Sequence, residues 1–105
     1  EVVEYKFNED RIIKHLQKYI DKTYELHYGK GKIQSTEFIF DSEHGEGFCI
    51  GNILKYAQRY GKKNGKDTSD LYKIIHYAII LLGKLEEEKR KEYNNYIDEI
   101  QKDSD

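Results

Sequence analysis

The sequence contains no proline, no methionine, no tryptophan and a single cysteine, Cys49. Without proline nothing fixes φ or removes an amide donor along the chain, a condition that favours long uninterrupted helices. A lone cysteine excludes an internal disulfide, and there is neither a signal-peptide pattern nor a run approaching the roughly 18 apolar residues of a spanning helix. These absences lead us to expect a reduced, soluble protein of the cytoplasm. An excess of one charge is lacking too: 18 Lys and Arg against 20 Asp and Glu give a net charge of −2 at pH 7. No overall field draws such a chain onto nucleic acid or an anionic membrane, so any anion site has to be local. At 105 residues there is room for one domain, which excludes a multi-domain enzyme.

What the chain does have is tyrosine, ten against four phenylalanines, in a composition that is 37% hydrophobic and 36% charged. Part of the tyrosine must serve as core, with the ring buried and the hydroxyl reaching a partner. The core expected from this composition is thin, which leaves oligomerisation open.

Hydrophobic spacing predicts an all-α fold of about four helices ending in a long C-terminal helix. The weak alternation of Val3, Tyr5 and Phe7 fits either a short N-terminal strand or a lead-in to the first helix. Asn8, followed by Glu9 and Asp10, marks a helix start, and Ile12, Ile13, Leu16, Tyr19, Ile20 and Thr23 carry that helix over residues 9–26. HYGKGKIQ, with Gly29 and Gly31 between lysines, reads as a loop with positive-φ positions. A shorter second helix then starts at Ser35 or Thr36, and Gly45 and Gly47 make DSEHGEG a turn. A third helix covers residues 48–60, with Ile50, Ile53, Leu54 and Ala57 on one side, Asn52, Lys55, Tyr56 and Arg59 on another, and Gly61 at the C-cap. Asp67, Thr68 or Ser69 caps the last helix, whose apolar positions between Leu71 and Leu85 point to burial on more than one side. Beyond EEEKRKE, the stripe of Tyr93, Tyr96, Ile97 and Ile100 predicts an exposed arm or a separate helix that needs a partner surface.

Several chemistries fail on spacing. Gly61, Gly65, Lys66 and Thr68 do not make a phosphate loop, because only three residues separate the glycines and Asp67 follows the lysine. Neither CxxC nor HExxH is present, so His27, His44, His76 and Cys49 predict no zinc site; Glu43, Glu46 and Asp70 are the only grouping to consider for Mg²⁺. Cys49 reads as a buried inert thiol, and His76 as a packed neutral histidine with a proton shuttle as its rival. Lys30 and Lys32 are candidates for a flap over an anion. Nucleic-acid binding through Lys30, Lys32, Lys62, Lys63 and Lys66 is disfavoured by the acidic flanks.

The strongest constellation is Asn52, Lys55, Tyr56 and Arg59 on the third helix with Asp70, Lys73 and Tyr77 on the fourth. Residues three, four and seven apart share a helix face, and a short connection brings two such faces together. Arg supplies a planar fork for phosphate, Lys a point charge, Tyr a stacking ring and Asn an amide for polar edges. The set therefore suits a nucleotide or another phosphorylated small molecule. It equally suits a structural role, in which Arg59 pairs with Asp70 across the two helices and the tyrosines are core.

HYGKGKIQSTEFI, GFCIGNILKYAQRYGKK and DLYKIIHYAIILL together resemble the SaV-like family of small tailed-phage proteins, over about residues 24–85. The family signature falls on Gly51, Asn52, Lys55, Tyr56 and Arg59 and then on Asp70, Leu71, Lys73 and Tyr77. The resemblance implies a phage protein of the host cytoplasm, and one relative of this family is a nucleotide kinase that lacks a P-loop. This chain departs from the pattern in its acidic, tyrosine-rich extension over residues 86–105 and in keeping only part of the glycine-rich middle segment.

The expectation is thus a single helical domain over residues 1–105 that binds a nucleotide or nucleoside phosphate. Lys55 and Arg59 sit on the phosphate, Tyr56 stacks, Asn52 reads polar edges and Asp70 orients Arg59. If it catalyses anything, phosphoryl transfer by positioning fits, with Mg²⁺ accompanying the nucleotide and no other cofactor or resident metal. Two rivals stand beside it: a small interaction protein that inhibits a host enzyme or defence component through the C-terminal helix, and a Mg²⁺-dependent all-helical pyrophosphohydrolase. A homo-oligomer through the C-terminal helix is the remaining partner expectation.

Overall fold

The computed structural model describes residues 2–104, and for residues 27–30 and 104 the backbone alone. The chain is all-α, with α1 (Glu9–Glu25), α2 (His27–Asp41), α3 (Gly45–Arg59) and α4 (Thr68–Ser104) in order. Among the described residues no strand forms. A single alternating stretch has no second strand to take its amides, and Val3, Tyr5 and Phe7 lie exposed in an irregular lead-in.

α1 starts where its sequence predicts, with Asn8 left-handed at φ 57° and its carbonyl accepting from the Ile12 amide at 2.9 Å. It stops at one residue, Leu26, whose extended φ/ψ of −69°/139° ends α1 and begins α2. The segment expected as a glycine loop is therefore helical from His27 onward, and α2 does not wait for Ser35. Two glycines weaken a helix by about 1 kcal/mol each. With no proline to stop it, the Ile33, Thr36 and Phe40 ridge, which turns inward at helical spacing, outweighs that cost.

The next turn also differs from expectation, since Gly45 and Gly47 belong to α3 and the left-handed residue is Glu43 at φ 67°. Its amide donates to the Phe40 carbonyl at 3.0 Å and the His44 amide to that of Ile39 at 3.1 Å, which is a Schellman closure of α2. Gly45 is needed for a different reason. A β-carbon there would overlap the Phe40 ring, so glycine lets α2 and α3 touch. Overpacking of this kind costs about 1–3 kcal/mol, more than the 0.5–1 kcal/mol by which alanine improves on glycine in a helix. Gly45→Ala should therefore lower the unfolding midpoint in urea, and an unchanged or higher midpoint would contradict the tight α2–α3 approach.

α3 and α4 form an antiparallel hairpin, turned by Gly61 at φ 83° and Gly65 at φ 63°. Asp67 caps α4, its Oδ1 accepting from the Ser69 amide at 2.9 Å. Cys49, Tyr56 and Tyr77 are the buried apolar side chains among the described residues, with Phe40, Phe48, Ile53, Ile74, Ile80 and Leu81 packed partly against them. One expectation is overturned here and a second is narrowed. On α3 the polar-looking face of Asn52, Tyr56 and Arg59 turns toward α4, while Ile50 and Leu54 lie exposed. On α4, Leu71, Ile79, Leu82 and Leu85 are exposed as well, so burial comes from two neighbouring sides only, α3 and the α1–α2 pair. The reason is the ring-on-ring packing of Tyr56 and Tyr77, which bury more surface than the aliphatic residues. α4 then runs on as one helix through Ser104.

Candidate functional site

The α3–α4 seam brings together the residues that spacing had selected, but as a packed layer. The Tyr56 and Tyr77 rings stack with centroids 6.2 Å apart, and Phe48 meets Tyr77 edge-on at 5.7 Å. Two ammonium groups attend the Tyr56 ring, Lys55 Nζ at 4.7 Å and Lys73 Nζ at 5.0 Å from its centroid. The Asn52 amide donates back to the Phe48 carbonyl at 2.8 Å, so this donor is engaged within its own helix.

At the turn end of the hairpin Arg59 faces Asp70, Nε to Oδ1 at 3.8 Å. That distance gives Coulombic attraction and no hydrogen bond. Asp70 is only 1% exposed, and neither of its oxygens nor Arg59 Nε finds a hydrogen-bond partner among the described residues. Asn64, with its amide oxygen turned to Arg59, accepts from Nη2 at 3.3 Å. Asp67 next to this pair is held below the usual carboxylate range, first by the hydrogen bond from the Ser69 amide and then by the Ser69 hydroxyl, with Lys73 and Arg59 adding to it.

The open volume lies on the other side of Tyr77. A pocket of about 420 Å³ is enclosed by α1, α2 and α4. Each helix places one lysine in its wall, Lys22, Lys32 and Lys73. Tyr19, His76 and Tyr77 supply rings, and Thr23 and Thr36 supply hydroxyls. No carboxylate lines it among the described residues. The side chains converge because Tyr19 with Lys22 and Thr23, and Lys73 with His76 and Tyr77, stand three and four apart on facing helices. Tyr19 holds those helices in register, stacking on Tyr72 at 5.5 Å and meeting His76 edge-on at 6.1 Å.

Burial sets the protonation states here. It pushes the Tyr19 and Tyr77 hydroxyls above the ordinary tyrosine range, with the neighbouring Tyr56 adding to it, so both stay protonated donors. It also holds His76 below 6.5, aided by the Lys32 ammonium, and keeps the Cys49 thiol up and unreactive. The pocket at neutral pH thus carries three ammonium groups, a neutral imidazole and phenolic donors, a set that receives an anion with a flat apolar portion.

Of the residues expected at the site, Lys73 and Tyr77 line the pocket, and Tyr56 stands behind them against Tyr77. Asn52, Lys55, Arg59 and Asp70 stay on the α3–α4 seam outside its lining. Lys32 reaches it from a helix in place of the expected loop, while the side chains of Lys30 and His27 fall outside the described residues. Tyr19, Lys22 and Thr36 carried no signal of function, although the spacing of Tyr19 and Lys22 is that of Lys73 and His76. Glu43, Glu46 and Asp70 are not gathered: Glu46 begins α3 and Asp70 pairs at its far end, about 20 Å along the helix. Among the described residues no three His, Cys, Asp or Glu side chains are placed to hold a metal ion, and no helix is long and apolar enough to cross a membrane.

Fold and site together define a class: a small all-helical protein with a cationic, aromatic-walled pocket between three helices. Residues 22–79, more than half of the chain, match DUF3310, a family of proteins of unknown function, and the chain belongs to that family. The matched stretch carries nearly the whole pocket wall, from Lys22 through Tyr77, and leaves out the distal half of α4. No curated protein and no solved structure matches the chain.

Proposed function

We propose that the protein binds a nucleotide or another nucleoside phosphate in the pocket between α1, α2 and α4. One observation carries the reading: Lys22, Lys32 and Lys73, from three different helices, share one pocket wall that no carboxylate enters among the described residues. In a chain with more acidic than basic residues, three lysines gathered on one cavity whose lining holds no carboxylate among the described residues give it a local positive potential that favours an anion. The volume of about 420 Å³ lies in the range of small-molecule sites. Tyr19 and Tyr77 offer ring surface for a base, and Thr23, Thr36 and the phenols offer hydrogen bonds for a sugar or phosphate.

On this reading Lys73 takes the phosphate role expected for Lys55 and Arg59. Arg59, Asp70 and Tyr56 act through it: the Arg59–Asp70 pair fixes the first turn of α4, and Lys73 sits one turn later over the Tyr56 ring. The likeness of this two-helix stretch to the SaV-like phage proteins, with their P-loop-less nucleotide kinase, supports a nucleotide as the ligand and the cytoplasm of an infected host as the setting. Phosphoryl transfer there rests on positioning and charge, with Mg²⁺ arriving on the nucleotide.

Thermal unfolding against ribo- and deoxynucleoside mono-, di- and triphosphates, with and without Mg²⁺, tests the proposal. A ligand at about a hundred times its dissociation constant adds about 2.7 kcal/mol, which raises the midpoint of so small a domain by several degrees or more. The midpoint should rise in the wild type and stay put in Lys32→Ala/Lys73→Ala. An unmoved wild-type midpoint across the whole panel would overturn the reading.

A further inference from the structure

The residues of α4 that face neither α3 nor the pocket form one line. Leu71, Leu82, Leu85, Tyr93, Tyr96 and Ile100 fall within about 40° of a single generator of the helix, over about 44 Å of its length. All six are exposed, Leu82 by 62%, Tyr93 by 63% and Tyr96 by 60%. Only three apolar side chains are buried among the described residues. The molecule therefore leaves more large apolar residues outside than it covers, the arrangement of a chain that completes its core by association. Lys73, His76 and Ile80 project from the opposite side of α4, so a partner on the stripe leaves the pocket open.

The charges along the stripe identify the partner. Glu86, Glu87 and Glu88 are followed directly by Lys89, Arg90 and Lys91, and Lys89 is the one charged residue on the apolar line itself. An acidic turn followed by a basic turn is complementary to its own reverse. If two α4 helices run antiparallel about a twofold axis between residues 88 and 89, each acidic turn lies against the partner's basic turn. Glu87 is already tied to Lys84 at 3.3 Å and Lys91 at 3.4 Å within its own helix. Glu86 and Arg90 share one flank of the stripe, and the axis brings Glu86 to within one residue, about 1.5 Å of rise, of Arg90 of the other copy, twice by symmetry. The same register lays Tyr93 and Tyr96 of each copy over the exposed Leu85 and Leu82 of the other. A parallel pair would instead set acid against acid and base against base.

We infer that α4 is a self-association surface on which a second copy of this chain docks antiparallel, its Tyr93–Tyr96 arm covering the Leu82–Leu85 face and Glu86 meeting Arg90. This goes beyond ligand binding and does not rest on it. Sedimentation equilibrium of the full chain should give twice the 12.5 kDa chain mass, and Leu82→Glu should give the monomer. Glu86→Arg and Arg90→Glu should each weaken the dimer by about tenfold or more through two like-charge contacts, while the double variant and a mixture of the two single variants should restore it. These charge variants keep every apolar residue and decide the case even if Leu82→Glu fails to fold. A wild-type monomer up to 100 µM, as a different partner for the stripe would produce, would overturn the inference. So would a dimer unaffected by Leu82→Glu, or charge variants that weaken association without mutual rescue.

Discussion

Arg59→Ala is expected to remove about 3–5 kcal/mol of stability, the cost of stranding a buried charge whose partner has been deleted. Asp70 is 1% exposed and its oxygens accept no hydrogen bond among the described residues, so Arg59 at 3.8 Å is the charge that makes a carboxylate tolerable there. The reverse deletion is milder. The Arg59 side chain is 30% exposed and already touches Asn64, so on losing Asp70 it can turn to water. The two single variants should therefore differ in urea midpoint, with Arg59→Ala the lower. Arg59→Leu/Asp70→Leu should recover most of the loss, because well-packed apolar replacements of a buried pair are commonly neutral or stabilising. For a chain whose total stability belongs at the low end of about 5–15 kcal/mol, the Arg59 variant alone comes close to unfolding. Equal and small effects in both single variants would show that the pair serves a ligand in place of the fold.

That prediction turns on a choice the sequence left open, whether Arg59 and Asp70 bind or brace, and the answer depends on depth, which spacing does not encode. Much else was legible. Asn8 with Glu9 and Asp10 located the start of α1, the Asp67, Thr68 and Ser69 candidates the cap of α4, which falls to Asp67, and Gly61 and Gly65 the connection between α3 and α4. The end of α1 near Leu26 was legible too, but the restart of α2 at His27 was not, because the glycines there read as a loop; two helical stripes of different direction meet, and the chain bends at the one residue they share. The inward face of α3 was hidden for a related reason. Ile50 and Leu54 look like core in isolation, but the small Gly45 and Cys49 on the next ridge let Phe40 and α4 approach closely, and Tyr56 completes that ridge. At the site, Lys73 and Tyr77 could be found because they share a helix face with Asp70. Tyr19, Lys22 and Thr36 belong to helices whose approach to α4 is a tertiary outcome, reported by the Tyr19–Tyr72 stack and by nothing local.

Lys73→Ala and Lys32→Ala should each weaken nucleotide binding by about 10–100-fold, the worth of one charge-assisted contact, measured by titration calorimetry. The pH dependence adds a control that a merely structural lysine would not pass. In the free protein His76 is held below 6.5 by burial and by Lys32, whereas the unfolded chain protonates it at its ordinary value. The unfolded state then binds more protons, so free-protein stability falls as pH drops below about 6.5 and levels off once the folded imidazole is charged. A bound phosphate reverses the local sign: it neutralises the lysines, draws a proton onto His76 and so binds more tightly as pH falls. Between pH 8 and 6.5, above the phosphate's own second pKa of about 6, affinity should rise on acidification in the wild type. It should be flat in His76→Gln, and the His76 ring signals of the wild type should titrate at higher pH with ligand than without. Acidification that weakens binding in the wild type would show that the phosphate sits away from His76, and with it away from the pocket wall shared by Lys32 and Lys73.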